Sequence, residues 1–202
     1  MHTYIGSKRR MVPLICENAV GLPDVDTVLD LFSGSSRVGW ALNQPGYRVA
    51  ANEHNTYAWV LARCFVQADA GRVAAEAHDR LDELAAVEPH AGWFTETYCR
   101  RARFIHPSNG ARIAAMRVAI AAWDLEPDVE AVLLTALLRA ADRVDSTTGV
   151  QMAYLKSWAP RALSPLRLEM PAVLPGPGRA LHQEAWEAAA TEVDLAYLDP
   201  PY

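Results

Sequence analysis

The stretch VDTVLDLF at 25–32 is a mostly apolar run that reaches an acid, Asp30, near its end and opens into the small residues SGSS. A strand buried on both faces shows no alternation of polar and apolar residues, so this run is expected of a central parallel strand. GYRVAANE at 46–53 has the same form, an apolar strand closed by an acid, and a short helix from about Arg37 to Leu42 fits between the two. Strand, glycine-containing turn, helix and strand form the repeating unit of α/β sheets, whose ligands bind at the carboxyl ends of the strands. VDLAYL at 193–198 reads as another buried strand, and it runs into Asp199 of a terminal DPPY.

Between these strands the pattern is mostly helical. Asn55 to Val87 carries helical apolar spacing with charges, whereas 89–110 has no sustained period and reads as an irregular insertion. Ala111–Trp123 and Val129–Ala141 are expected helices, the second with Pro127 near its start as a first-turn residue. Met152–Ala162 is a further helix candidate, residues 160–178 are rich in proline and glycine and read as loop, and Gln183–Ala190 is a short helix candidate. The expected architecture is α/β, a Rossmann-like sheet with a mostly helical insertion. The expected divisions are 1–90 for the first part of the core, 91–169 for the insertion, and 170–202 for the return to the core.

Composition narrows the class. A chain of 202 residues with 51% hydrophobic content can bury one substantial core. The basic SKRR at 7–10 lacks the apolar stretch of a signal peptide behind it, and no run approaches the length of a membrane span, so a cytoplasmic protein without membrane contact is expected. Cys16, Cys64 and Cys99 are few, odd in number and widely spaced, which argues against a disulfide framework or structural zinc. No metal is expected. The net charge of −5 argues mildly against attraction of nucleic acid over the whole surface, but Arg100, Arg101, Arg103, Arg112 and Arg117 cluster within the insertion.

The chemistry gathers where strands end. Asp30 is placed to bind an ammonium group, and Gly34 lets a ligand approach the backbone of the following turn. Ser33, Ser35 and Ser36 are candidate caps for the next helix, or simply fill a turn of small residues. The segment has neither the GKS/GKT of a triphosphate loop nor a full GxGxxG. Glu53, at the end of the second strand, occupies the usual place of a carboxylate that accepts from ribose hydroxyls; alone, such a residue is more often merely solvated. In DPPY the prolines restrict the backbone beyond the strand. The Asp199 carboxylate and the Pro200 carbonyl can both accept from an exocyclic amine, with Tyr202 stacking on the base that bears it.

With these motifs in this order the chain resembles the D12 class of DNA adenine-N6 methyltransferases. YIGSK at 4–8 resembles the family's N-terminal cofactor motif, DLFSGSSRVG at 30–39 its glycine turn, ANE at 51–53 its ribose-binding strand end, and DPPY its catalytic tetrad. RFIHPSNGARIAAMR at 103–117 and TTGVQMAYLKSWAPRA at 147–162 are similar to its central portion.

The resemblance implies S-adenosylmethionine as cofactor, held by Tyr4, Lys8, Asp30, Phe32, Gly34, Ser36 and Glu53, with Lys8 approaching the cofactor carboxylate. It implies catalysis by Asp199, Pro200, Pro201 and Tyr202 on an adenine flipped from double-stranded DNA, by direct in-line transfer. Glu184 is the candidate for an acid that contacts the cofactor's adenine amine, and reads equally as an early helix acid. Ser36 stands where the wider methyltransferase turn commonly has its second glycine, and Glu53 where this family commonly has Asp. The family continues beyond DPPY, so the chain is expected to be a fragment or truncated product lacking the C-terminal part of the core, with strand 193–198 near an unfinished edge.

For DNA contact, the arginines of 100–117 suit phosphates, Asn109 is a candidate base reader, and Lys156 and Arg161 flank Trp158 as a weaker basic edge. His106 reads as a loop histidine. A partner restriction endonuclease is a possible companion. The competing readings are an amino-methyltransferase acting on RNA or on a protein amide, a non-catalytic DNA-binding remnant, and a helical scaffold, which would leave both strand-end sites unexplained.

Overall fold

The computed structural model describes residues 8–148 and 155–200. Tyr4, Pro201, Tyr202 and the first residues of the expected 152–162 helix lie outside the described residues. The elements in chain order are α1 (Val12–Val20), β1 (Thr27–Asp30), α2 (Arg37–Asn43), β2 (Arg48–Asn52), α3 (Thr56–Ala62), α4 (Ala70–Ala85), α5 (Pro107–Ala122), α6 (Pro127–Arg143), β3 (Arg179–Leu181), α7 (Ala185–Ala188) and β4 (Leu195–Tyr197). The chain forms two compact units, one of Ile5–Ala75 with Pro171–Tyr202 and one containing Glu76–Met170.

The first unit holds a parallel sheet in the order β3-β2-β1-β4. The two central strands are buried on both faces, which is why their sequences run apolar without alternation. One face packs Val28, Val49 and Ala51 against Ala19 of α1, Val38 and Leu42 of α2, Ala62 of α3 and Val66. The opposite face packs Leu29, Leu31 and Ala50 against Ala188 of α7, with Phe32, Leu181 and Val193 beside them. Full burial of each valine or leucine among these contributes about 1.5–3 kcal/mol. β4 is an edge of the described sheet, and its register on β1 is pinned by Asp194, whose Oδ2 accepts from the backbone N–H groups of Asp26 and Thr27 and from the Thr27 hydroxyl, at 3.0, 2.8 and 2.7 Å. Those bonds hold the Asp194 carboxyl below its ordinary pKa.

β3 falls between the expected loop of 160–178 and the expected helix at 183–190, where no element was expected. Its three residues carry no pattern of their own; they become a strand because β2 offers a free edge and the Gln67 side chain accepts from Ala180 N–H at 2.9 Å. Gln67 ends a π-helical turn, Arg63–Gln67, that interrupts the expected continuous helix between α3 and α4. Asp69 then ties down the glycine-proline loop, its carboxylate accepting from Gly71 N–H at 2.8 Å and Gly176 N–H at 3.1 Å.

In the second unit α5 packs on α6 and on a π-helical turn, Thr95–Arg101, within the stretch that read as irregular. α5 starts four residues earlier than expected, at Pro107, with His106 as its cap accepting from Ser108 N–H. α6 has Pro127 in its first turn, and Glu126 caps it by accepting from Asp128 and Val129 N–H. The expected helix at 152–162 is not formed over its described part: Leu155–Ala159 is irregular, and only a single 3-10 turn follows at Pro160–Leu163. Pro160 and Pro165 bracket that turn, each biasing the residue before it away from helical geometry. No disulfide links the three cysteines, and Cys64 and Cys99 are buried.

Several candidate DNA contacts are committed internally. Asn109 is buried, its amide donates to the carbonyls of Ala162 at 3.0 Å and Ser164 at 2.9 Å, and its oxygen accepts from Leu166 N–H at 3.2 Å. It is a clamp on the 162–166 strap, not a base reader. Arg161 donates to the Asp145 carboxylate and to the Thr147 carbonyl, so its charge is matched within the unit. Arg100 and Arg101 both pair with Glu96, and Arg112 donates to Ala85 carbonyl. Arg103, at the left-handed φ of 57°, lies over the Trp158 ring at 4.9 Å, while Arg117 is exposed. Asn109→Ala removes three hydrogen bonds to backbone at once, two of them buried, so we expect a loss of about 3 kcal/mol in urea unfolding. A base reader at the surface would instead leave stability unchanged and weaken DNA binding.

Candidate active site

The carboxyl ends of β1, β2 and β4 place Asp30, Glu53 and Asp199 along one edge of the sheet. The chain turns sharply after β1. Gly34 has φ of 52° and Ser36 φ of 57°, both left-handed, and the Ser33 and Ser36 hydroxyls meet at 2.9 Å. Ser36 is the residue before α2, but its side chain makes no cap bond to the helix, contrary to the capping expectation. The left-handed geometry explains why glycine suits this position, and the serine carries a backbone cost of about 1–2 kcal/mol.

Glu53 binds that turn directly. Its carboxylate accepts from Gly34 N–H at 2.8 Å and from Asn55 N–H at 3.1 Å, joining the end of β2 to the turn after β1. A carboxylate has about four acceptor positions, so these two bonds leave room for ligand hydroxyls. Beside it stands Asn52, which the sequence reading did not single out. Buried, it donates to the Leu31 and Gln183 carbonyls, both at 3.2 Å, and accepts from Gln183 N–H, tying the ends of β1, β2 and β3 together. A polar residue closing the apolar run RVAAN was the available signal.

Asp30 is 1% exposed, and Gly39 N–H donates to its carboxylate at 3.1 Å. Burial pushes its carboxyl up to about 7; the Gly39 hydrogen bond opposes the shift, and the negative charges of Asp199 and Glu53 add to it. Lys8, in a 3-10 turn at Lys8–Arg10, places its Nζ 2.7 Å from Asp199 Oδ2. Tyr197 belongs to the same cluster: burial chiefly raises its phenol, helped by Asp199 and Asp30 and opposed by Lys8. Phe32 faces the second side of the sheet and packs with Leu29 and Leu31. Glu184 immediately precedes α7 without capping it, exposed, with its Oε1 3.4 Å from His54 Nδ1. Pro200 is exposed beyond Asp199. At the ends of β2 and β3, His182 stacks on Trp59 at 4.8 Å and donates from its protonated Nε2 to the His54 carbonyl at 2.9 Å.

Neutral Asp30 suits the free site and its ionised form suits a cation. With a folded pKa raised above the unfolded value of 3.8, Asp30 contributes stability that is fully present below about pH 4 and lost as pH rises to about 7. The difference is on the order of 4 kcal/mol. Asp30→Asn, which keeps an acceptor for Gly39, is therefore expected to gain stability over the parent progressively between those pH values. Denaturant titrations of both proteins at pH 4.5 and 7.5 check this; an equal difference at the two pH values would contradict it.

Residues 4–202 match the family described as D12 class N6 adenine-specific DNA methyltransferase. Type II methyltransferase M.NlaIII of Neisseria lactamica is 33% identical over 219 residues, covering 98% of this chain and 64% of that protein. Type II methyltransferase M.CviAII of Paramecium bursaria Chlorella virus 1 is 32% identical over 213 residues, covering 98% of this chain and 63% of that protein. The chain thus spans just under two thirds of the length of these two relatives. No solved structure gives a significant match. Among the described residues no helix is long and apolar enough to cross a membrane. A match that runs over nearly the whole chain, joined to a parallel sheet with acids at three strand ends, makes this a member of the D12 class N6 adenine-specific DNA methyltransferase family.

Proposed function

We propose that the protein methylates the N6 amine of adenine in double-stranded DNA with S-adenosylmethionine as methyl donor. The observation that carries this reading is the edge where Asp30, Glu53 and Asp199 converge beside the Gly34 turn. Three carboxyl groups at neighbouring strand ends, one of them paired with Lys8, suit a ligand bearing both sulfonium and ammonium charges, so the residues present fit this cofactor. When bound, S-adenosylmethionine supplies an electrophilic methyl group.

The chain's own residues then hold and orient. Asp30 takes the ammonium, the Gly34 turn receives the amino-acid end, and Glu53 accepts from ribose hydroxyls while keeping the turn in place. Glu184 stands on the adenine side, near His54. Asp199 and the Pro200 carbonyl accept from the two N–H bonds of the target amine, which turns its nitrogen lone pair out of ring conjugation and toward the methyl group. For Asp199 to do so its pairing with Lys8 must open or be shared, and Lys8 then turns to the cofactor carboxylate. Tyr4 would pack near the cofactor, and Pro201 and Tyr202 would complete the tetrad against a base extruded from the helix. The helical unit, with Arg103, Trp158 and Arg117, is the region we assign to DNA. By analogy with the type II relatives, a partner endonuclease reading the same DNA word is part of this proposal.

The test is transfer of labelled methyl from S-adenosylmethionine to unmethylated duplex DNA, with the product nucleosides separated. N6-methyladenine is the expected product. Label in RNA or protein alone, or none in DNA from folded, cofactor-binding protein, would overturn the reading.

A further inference from the structure

We propose that binding of the cofactor's ammonium group is coupled to release of one proton, and that Asp30 is the group that gives it up. The inference rests on the function proposed above and adds a proton to its binding equilibrium.

The argument starts from where Asp30 lies. It ends a central strand, is 1% exposed, and among the described residues the hydrogen bond recorded to its carboxylate is the one from Gly39 N–H. The groups that face it come from every neighbouring element. Glu53 approaches from the end of β2, and Tyr197 and Asp199 from β4. α2 contributes the Gly39 N–H, and Lys8 from the N-terminal turn is drawn to Asp199 at 2.7 Å. Two acids thus push electrostatically on a buried third, and the near cation is engaged with one of the two. Buried and facing like charge, a carboxyl is held in its acid form.

An ammonium group arriving at Asp30 reverses that balance. It supplies the missing countercharge at hydrogen-bonding distance, so the ion pair forms and the Asp30 O–H proton leaves to solvent. The ligand's amine keeps all three of its protons, so neutral carboxyl plus ammonium becomes carboxylate-ammonium pair plus one aqueous proton. The sign follows: affinity rises with pH and levels off once Asp30 is already ionised in the free protein. With that carboxyl up to about 7, affinity should fall roughly 25-fold between pH 7.5 and 5.5. Proton release should be about three quarters of a proton at pH 6.5 and about one tenth at pH 8.

Titration calorimetry of the 202-residue chain with S-adenosylhomocysteine, in phosphate and in Tris at pH 6.5 and 8, reads the released proton as buffer-dependent heat. 5′-Methylthioadenosine, which lacks the amino-acid end, serves as the partner ligand. We expect release with S-adenosylhomocysteine at pH 6.5, none with methylthioadenosine, and affinity nearly independent of pH in Asp30→Asn. Should Asp30→Asn fail to fold, the two ligands on the parent protein decide the question. Binding of S-adenosylhomocysteine without buffer-dependent heat at pH 6.5 overturns this inference and leaves the proposed function standing. Release that persists with methylthioadenosine or in folded Asp30→Asn assigns the proton elsewhere and overturns it too. If neither ligand binds at any pH, the functional reading falls and takes this inference with it.

Discussion

Asp199→Ala should lower methyl transfer at least about 10³-fold while the protein still folds and still binds the cofactor. Removing one preorganised hydrogen-bonding group from a reacting centre costs about 10² to 10³ in rate, and here the charge that orients the amine is lost with it. Asp199 lies two residues beyond the last residue of β4, so it makes no sheet hydrogen bond that truncation would break. Its ion-pair partner Lys8 is 24% exposed and can turn toward water. Asp199→Asn keeps an oxygen acceptor without the charge and should fall between parent and alanine. Steady-state transfer of label to DNA, paired with thermal melts, measures both effects. An alanine variant that retains more than about a tenth of parental turnover would remove Asp199 from the amine-holding role.

Gly178→Ala should destabilise the sheet unit by about 3 kcal/mol or more. A Cβ at this position would lie 2.0 Å from the carbonyl oxygen of Val66 and 2.9 Å from its carbonyl carbon. Overpacking ordinarily costs about 1–3 kcal/mol because side chains yield, but here the obstacle is the backbone of the Arg63–Gln67 turn. Relief requires moving either that turn or β3, and β3 starts at the next residue. Since Gln67 of the same turn holds Ala180 N–H, the displacement also breaks the contact that secures the strand. Urea unfolding gives the magnitude. Truncating the Val66 side chain in the same protein should not restore stability, and a full rescue by Val66→Ala would show that the clash is not with backbone.

The proton-linked binding of Asp30 and the packing of Gly178 lie at opposite ends of what could be read in advance. Asp30, Glu53 and Asp199 were visible as acids closing apolar runs, because a strand buried on both faces must exclude charge until it reaches the sheet's edge. For the same reason β1, β2 and the α/β class were legible, as were α2, α6 and most of α5, whose apolar spacing or proline starts are local properties; β4 was legible as a strand but is a half-exposed edge of the described sheet, not the buried strand its apolar run implied. The left-handed turn was foreshadowed by its small residues, though not that a serine would hold φ of 57°.

What the chain alone did not disclose depends on partners far away in sequence. β3 is three residues whose strand character is supplied by β2 and Gln67, and the sequence around it has only the marks of a loop. Asn109 and Arg161 look like surface recognition residues until the 162–166 strap and Asp145 are brought against them. Lys8 and Asp199 are separated by nearly the whole chain, and their pairing, like the charge balance that sets Asp30's proton, exists only once the sheet has assembled. Apolar periodicity and turn chemistry act between neighbours and are written in the sequence itself. Hydrogen-bond partners, close backbone approach and the summed field at a strand end are properties of distances, and only the tertiary structure decides those.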